Sequence, residues 1–336
     1  LREIVLINIT AQEQSGIADA LRAALAADTT FSAAQSATQA EHVVSVMGRQ
    51  VGHPALQQVV SLLSEHGLAL ASIERLSAAV GGNACFELGL LGTLEQPLQL
   101  RGQVLELSAA LGLDIVYQPE SPQRRHPRLA VFDMDSTLIE AEVIDELAKA
   151  AGIGERVAAI TEQAMRGEID FRASFKARLA LLDGLDVAVL DDIGAQLRLS
   201  EGAERLFAEL NRMGVKTAIL SGGFTYFARQ LQERLGITHV FANELQVVDG
   251  KCTGVAVEPI VDAQRKADLL QQLAREQGVE LSETLAVGDG ANDLAMLAIA
   301  GLGVAFRAKP LVRQSARQAI SVLGLDAVLY LLGRRD

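Results

Sequence analysis

Leu129-Ala130-Val131-Phe132-Asp133-Met134-Asp135-Ser136-Thr137-Leu138 runs from four apolar residues into two acids set one residue apart. An unbroken apolar run of this kind has the pattern of a parallel strand buried on both faces. Aspartate is depleted in strands, so Asp133 and Asp135 mark the strand's C-terminal end. In open α/β sheets that end is where ligands bind. Two carboxylates this close do not both stay ionised cheaply unless a cation joins them or they divide their labour. A divalent metal and a nucleophile–acid pair meet both conditions. An acidic turn is the bland alternative for Asp-x-Asp alone. Ser136-Thr137 and the stretches further along the chain weigh against it.

Downstream, strands and helices alternate, which predicts a Rossmann-like α/β fold with a parallel sheet. One insertion interrupts the alternation. The next strand, 215–220, comes only after helical patterns at 140–151, 155–166, 170–182 and 188–196. That is too long for one crossover and predicts a helical cap beyond the first strand's tip. A helix at 203–213 precedes the second strand, which ends in Ser221-Gly222-Gly223. A helix at 225–235 follows, then short strands within 240–260 with a hairpin at Asp249-Gly250, and a helix at 264–277 carrying Lys266. The strand 284–287 ends in Gly288-Asp289-Gly290-Ala291-Asn292-Asp293, and 302–306 is a further strand. Three apolar strands thus end in polar clusters, and a parallel sheet puts such ends on one edge. Their oxygen ligands suit Mg²⁺. Their glycine N–H groups, hydroxyl and ammonium suit phosphate.

Upstream, residues 42–119 read as β-α-β-β-α-β, with elements at 43–46, 54–66, 68–76, 84–91, 100–111 and 113–117. This is the order of a ferredoxin-like α+β domain. Residues 4–9 read as a strand and 17–26 as a helix. Residues 28–41 read as a loop or linker, and 120–128, with two prolines and a basic cluster, as another.

The 336 residues allow two or three domains. A formal net charge of -12 and a pI near 5.0 argue against nucleic acid, whose affinity comes mostly from cations on phosphate. They leave room for a small anionic substrate in a locally positive pocket. Cys85 and Cys252 have no metal-like spacing and fit a reducing compartment. No apolar run reaches membrane-spanning length, and the opening residues lack a signal peptide's features, so the expectation is a cytoplasmic protein.

The motif set resembles the haloacid dehalogenase-like phosphatases, from Leu129 nearly to the end of the chain. Within them it is similar to the phosphoserine phosphatases that carry N-terminal ACT domains. The carrying stretches are Asp133-Met-Asp135-Ser-Thr-Leu-Ile-Glu-Ala-Glu142, Met165-Arg-Gly-Glu, 171–178, Ser221-Gly-Gly-Phe-Thr, Arg265-Lys266 and Gly288-Asp289-Gly-Ala-Asn292-Asp293. They are specific together and weak singly. The resemblance implies that Asp133 attacks phosphorus and that Asp135 acts as proton donor and then base. It implies Mg²⁺ held by Asp133, the Asp135 carbonyl and Asp289. Ser221, the Gly222 N–H and Lys266 would hold the phosphoryl oxygens, Asn292 would contact substrate, and Asp293 would orient Lys266 or metal-bound water. In the cap, Glu142 would take the serine ammonium and Arg178 its carboxylate, with Met165 and Phe171 lining the pocket. On spacing alone, Glu142 reads as part of an acidic helix face, Arg178 as a solvated arginine, and Met165 and Phe171 as core.

The implied division is a partial ACT-like unit and linker at 1–41, an ACT-like regulatory domain at 42–119 and a linker at 120–128. The phosphatase core would be 129–139 with 203–336, and the cap 140–202. The first ACT-like unit is reduced to a strand and a helix, a departure from family members of this length. The implied activity is Mg²⁺-dependent hydrolysis of O-phosphoserine, the last step of serine biosynthesis. The implied partners are an L-serine or other amino-acid effector and a second copy of the chain in a homodimer, with neither nucleic acid nor membrane. Two alternatives stay open: a phosphatase or phosphotransferase for another small phosphomonoester, and an amino-acid sensor with a degenerate phosphatase half.

Overall fold

The computed structural model describes residues 5–6, 30–32, 40–78, 82–166 and 168–336. The chain divides into two compact units, one of Leu1–His126 with Gln318–Asp336, the other of Pro127–Arg317.

The first unit holds the strands β1 (Val5–Leu6), β2 (Thr30–Ser32), β3 (His42–Gly48), β4 (Ala69–Arg75), β5 (Ala84–Leu91) and β6 (Asp114–Pro119). Helices His53–Glu65 and Pro97–Leu111 complete the expected β-α-β-β-α-β order. The strands lie in the order β1-β2-β4-β5-β3-β6, and the last four are mutually antiparallel, the ferredoxin-like arrangement. A proline sits in the first turn of each helix, where a missing N–H costs nothing. Leu56, Val60, Leu63, Leu100 and Val104 pack onto Val44, Val46, Phe86 and Leu88 of the sheet. Residues 30–32, expected in a linker, instead pair with β4, and Val5–Leu6 pairs with them in turn. The strand β4 is thereby covered on its outer side, which removes an open edge. The expected helix at 17–26 lies outside the described residues.

The other face of this sheet is also buried and mixes apolar with polar side chains. Ser45, Glu87, Asp114 and Gln118 are all nearly inaccessible. Two segments expected elsewhere cover it. Residues 120–128 are not a solvated linker: Ser121 caps a 3₁₀ turn, Pro122–Arg125, and Arg124 is only 7% exposed. Its guanidinium donates to Glu87 (3.0 Å), Glu120 (2.8 Å) and the Leu331 carbonyl (2.8 Å). Residues 318–336, expected in the phosphatase core, belong to this unit. The Asp114 carboxylate accepts the N–H groups of Ser321, Val322 and Leu323 at 2.7–3.1 Å. Gln118 donates to Leu331 O at 3.3 Å. Buried charges of this kind persist only when fully partnered, and here they are.

In the second unit, the parallel strands β7 (Leu129–Phe132), β8 (Lys216–Phe224), β9 (His239–Asn243), β12 (Thr284–Gly288) and β13 (Leu302–Phe306) lie in the order β13-β12-β7-β8-β9. β7 is flanked on both sides and every residue of it is buried, which explains its unbroken apolar run. Helices Ala203–Arg212, Thr225–Leu235, Ala263–Glu276, Leu294–Ile299 and Pro310–Ser315 connect or follow these strands. Between β7 and β8 lie the four cap helices, Val143–Ala150, Gly154–Met165, Phe171–Ala180 and Ala188–Gln196.

The cap has a further component. β10 (Leu245–Val248) and β11 (Lys251–Ala256) form a hairpin whose loop, Asp249-Gly250, has φ of 50° and 75°. Positive φ at both loop residues is the two-residue turn that matches strand twist. The hairpin docks on the cap by backbone bonds, Gly184 N–H to Cys252 O and Cys252 N–H to Leu185 O, both 2.8 Å. Among the described residues no helix is long and apolar enough to cross a membrane.

Candidate active site

Asp133 extends the β7 ladder by one bond, its N–H donating to Val287 O at 2.9 Å. Its carboxylate is buried. Oδ1 accepts the Met134 N–H at 2.7 Å, and Oδ2 lies 2.8 Å from Lys266 Nζ. Lys266 is fully inaccessible and also donates to Asp293 Oδ1 at 2.7 Å. It reaches this point because Asp262 caps its helix, accepting the Arg265 N–H at 2.9 Å. Asp293 folds the β12 loop around itself by accepting the N–H groups of Asp289 (3.1 Å) and Gly290 (2.9 Å). A Cβ at Gly288 would collide with the Asp293 carboxyl, so this turn needs glycine. Asp289 is held by Thr137, whose hydroxyl donates to its Oδ1 at 3.1 Å. Carboxylate oxygens of Asp133, Asp289 and Asp293 lie within 4.8 Å of one another.

The tips of β7 and β8 touch. A Cβ on Gly223 would sit 2.7 Å from Asp135 Oδ2 and 3.2 Å from Ser221 Oγ, so glycine is required there too. Ser221 Oγ is buried and accepts the Gly223 N–H at 2.9 Å. Phe171, at the start of its cap helix, places its ring 3.3 Å from where a Gly222 Cβ would lie. Phe175 stacks behind it at 6.3 Å and reaches Phe224 at 6.1 Å.

Glu142 is the exposed residue that opens the first cap helix, and Ser136 Oγ donates to its Oε1 at 2.8 Å. Arg178 is half-buried and donates Nε to Ser174 O at 3.4 Å. Asn292 lies over Gly290 in the β12 loop. The structure therefore gathers Asp133, Asp135, Ser221, Gly222, Lys266, Asp289, Asn292 and Asp293 at one edge of the sheet. The Met165 side chain lies outside the described residues.

The family profile of the haloacid dehalogenase-like hydrolases matches residues 127–301. The chain belongs to the haloacid dehalogenase-like hydrolases. It is 45% identical over 291 residues to the phosphoserine phosphatase of Streptomyces coelicolor, covering 87% of this chain and 70% of that protein. It is 47% identical to the phosphoserine phosphatase of Archaeoglobus fulgidus over 69% of each chain. The crystal structure of a probable phosphoserine phosphatase from Vibrio cholerae, in unliganded form, superposes with a TM-score of 0.72 at 37% identity, covering 89% of this chain and 88% of that one. A substrate-bound phosphoserine phosphatase complex superposes with a TM-score of 0.58 at 38% identity, covering 61% of this chain and 97% of that one.

The electrostatics of this hydrolase's site are those of an acid cluster short of positive charge. Burial, aided by Asp293, pushes the Asp133 carboxyl up to about 7 despite Lys266. Burial, with Asp293 and Glu142, pushes Asp289 up to about 6, while the Thr137 hydrogen bond opposes the rise. Asp135 is raised well above the usual carboxylate range by burial, then by Glu142 and Asp133; the Val143 N–H, 3.4 Å away, pulls the other way. Burial opposes charge on Lys266, but Asp133 and Asp293 outweigh it and hold the ammonium firmly protonated. For Arg178, burial prevails and lowers its pKa, against the pull of Asp145, Glu142 and Asp135. The cap thus faces the hydrolase core with one half-buried cation, Arg178, and one carboxylate, Glu142, in the same field.

Three contributors had roles that no motif gave. Thr137 stands inside the first motif, but its bond to Asp289 spans 152 residues. Arg172 ties the cap helix to Glu258 (2.6 Å) and Asp262 (3.0 Å), and reads in sequence as an ordinary surface arginine. Asn243 ends β9 with its amide buried, and an asparagine after an apolar strand resembles any strand terminus.

Proposed function

We propose that this hydrolase cleaves O-phospho-L-serine to L-serine and inorganic phosphate. The observation that carries the reading is the pair Asp133–Asp135, one carboxylate against Lys266 and the acid cluster, the other against the Ser221–Gly223 turn. A cap bearing Glu142 and Arg178 packs above it. The names of the relatives support the choice of substrate.

In this reading an Asp133 carboxylate oxygen bonds to phosphorus as the bond from phosphorus to the serine oxygen breaks. Asp135, whose protonated form burial favours, gives its proton to that leaving oxygen. The now ionised Asp135 takes a proton from water as the water oxygen attacks the aspartyl phosphate. Phosphate leaves and Asp133 is regenerated. Ser221, the Gly222 N–H and Lys266 hold the phosphoryl oxygens while charge shifts. Asp293 aims Lys266, and Asn292 contacts the substrate.

A divalent cation fits the donor set: clustered oxygens, no sulfur or imidazole, and carboxyls pushed up by burial and by one another. Asp133, the Asp135 carbonyl and Asp289 would hold Mg²⁺, which would offset the repulsion between nucleophile and phosphate. In the cap, Glu142 receives the ammonium and Arg178 the carboxylate, a bidentate match. Phe171, whose ring lies over Gly222, lines the pocket beside them.

For the first unit we propose a regulatory, ACT-like role, with L-serine or another amino acid as effector and pairing of two copies in a homodimer. The ferredoxin-like fold motivates this, and sedimentation with and without serine tests it. A reducing cytoplasm suits the two free thiols, Cys85 and Cys252.

The deciding experiment is phosphate release from a panel of phosphomonoesters with Mg²⁺ present. Phosphoserine is expected to have the highest kcat/KM, above phosphothreonine and sugar phosphates. A sugar phosphate turned over faster than phosphoserine would overturn the assignment.

A further inference from the structure

The parallel ladder between β8 and β9 is regular at Ala218↔His239, Ile219↔Val240 and Leu220↔Phe241, and resumes at Phe224↔Asn243. Ser221, Gly222 and Gly223 therefore stand opposite Ala242 alone. Such a bulge bends the strand and re-aims its groups, a device common beside active sites. It also takes from Gly222 the strand partner its carbonyl would have had.

The Asn243 side chain supplies that partner. Its Nδ2 donates to Gly222 O at 2.8 Å. Its Oδ1 accepts the Val261 N–H, also at 2.8 Å. One partner needs a donor and the other an acceptor, so the orientation of the amide is fixed by its surroundings. Asn243 is 1% exposed, and water does not compete for either bond. The Asn243 backbone is secured in turn, because Thr225 Oγ1 donates to Ala242 O (3.2 Å) and Asn243 O (3.3 Å). Val261 directly precedes Asp262, the cap of the helix that carries Lys266.

We infer that Asn243 is a positioning residue that sets the spacing between the two arms of the phosphate pocket. One arm is the bulged Ser221–Gly223 turn, and the other is the start of the Lys266 helix. An amide is the side chain that offers a donor and an acceptor from one rigid plane. Holding Gly222 O fixes the peptide that follows it, and holding Val261 N–H fixes the origin of the Lys266 helix. Asn243 itself touches no substrate. The inference rests on the phosphate-pocket reading above.

The test uses the full chain carrying Asn243→Asp, which replaces the donor to Gly222 O with a second acceptor and keeps the acceptor for Val261. Three quantities are read: kcat and KM on phosphoserine, the inhibition constant of orthovanadate, and Mn²⁺ affinity from its paramagnetic signal. Asn243→Asp is expected to lower kcat/KM by about 100-fold and to weaken vanadate comparably, because misplaced donors lose transition-state stabilisation. Mn²⁺ affinity is expected to stay at the wild-type value, since the acid cluster is held by other bonds. Thr225→Val, a smaller perturbation of the same support, is expected to weaken vanadate in the same direction by less. It carries the test if Asn243→Asp does not fold.

Wild-type vanadate affinity in folded Asn243→Asp would overturn the inference. So would Thr225→Val with wild-type vanadate affinity where Asn243→Asp is unfolded, or a loss of Mn²⁺ affinity in step with vanadate. A wild-type protein inactive on phosphoserine would instead contradict the substrate assignment, while vanadate inhibition of aryl phosphate turnover would still report on Asn243.

Discussion

Lys266 Nζ lies 2.8 Å from Asp133 Oδ2 with its side chain fully buried. The ammonium holds Oδ2 while the Met134 N–H holds Oδ1, and it is shared with Asp293 at 2.7 Å. One cation thus serves two buried acids. Lys266→Met removes it and leaves both carboxylates without a counter-ion. Breaking a buried pair in this way costs on the order of 3 kcal/mol. Urea unfolding of the metal-free variant is expected to show that loss, and turnover is expected to fall by at least about 100-fold. Unchanged stability would mean that the lysine's attraction merely offsets its own burial.

The raised carboxyls make metal binding and stability pH-dependent. With Asp133 at about 7 and Asp289 at about 6, both keep protons in the folded protein that the unfolded chain gives up near 3.8. Their contribution to the stability of the metal-free protein is therefore fully present below that lower value. It is lost as pH rises through about 6 and about 7. A divalent cation must displace those protons at low pH and meets bare carboxylates at higher pH. The rise in Tm on adding Mg²⁺ is expected to be larger at about pH 8 than at about pH 5. Equal shifts at both values would show that the cation does not bind at these acids.

Arg178 is expected to act on substrate choice more than on chemistry. Arg178→Ala removes one partner of a desolvated charge pair, a loss on the order of 2–5 kcal/mol for a substrate with a carboxylate. Comparing kcat/KM on phosphoserine with that on an aryl phosphate isolates the effect. Equal losses on both substrates would assign Arg178 to support of the cap.

The segment 318–336 is expected to stabilise the first unit. It supplies the N–H groups that Asp114 accepts and the carbonyl that Arg124 and Gln118 reach. Ending the chain after Arg317 leaves Asp114, Gln118 and Arg124 short of partners, and buried unpaired groups cost about 1–3 kcal/mol each. Hydrogen exchange is expected to show loss of protection in β3, β5 and β6. Full protection there would contradict the account of the buried polar face. For the same reason, a chain that begins near residue 128 but keeps 318–336 is expected to expose apolar Leu323, Leu325, Leu329 and Leu331, and to self-associate on sedimentation.

What the sequence made legible was local in character. The apolar runs of β7 and β12 and the acids at their ends are written in consecutive residues, so the sheet edge and its chemistry could be read. The helical cap followed from the absence of a second strand where one was due. The tail's place was hidden, because Asp114 and Ser321 are 207 residues apart and neither carries a pattern pointing to the other. Residues 120–128 read as a linker because Glu87, the partner of Arg124, lies within a strand whose neighbours are apolar. The bulge at Ser221–Gly223 was visible only as a glycine pair, and its support by Asn243 appears once β8 and β9 are paired.

The covalent step is the core of the account, and one measurement meets it directly. Protein mixed briefly with labelled phosphoserine and Mg²⁺ is quenched in acid, digested and read by mass spectrometry. The account predicts one phosphoryl group on the peptide carrying Asp133, acid-stable and labile to hydroxylamine, and its absence in Asp133→Asn. Label absent from that peptide at every quench time, while phosphate accumulates, would contradict it.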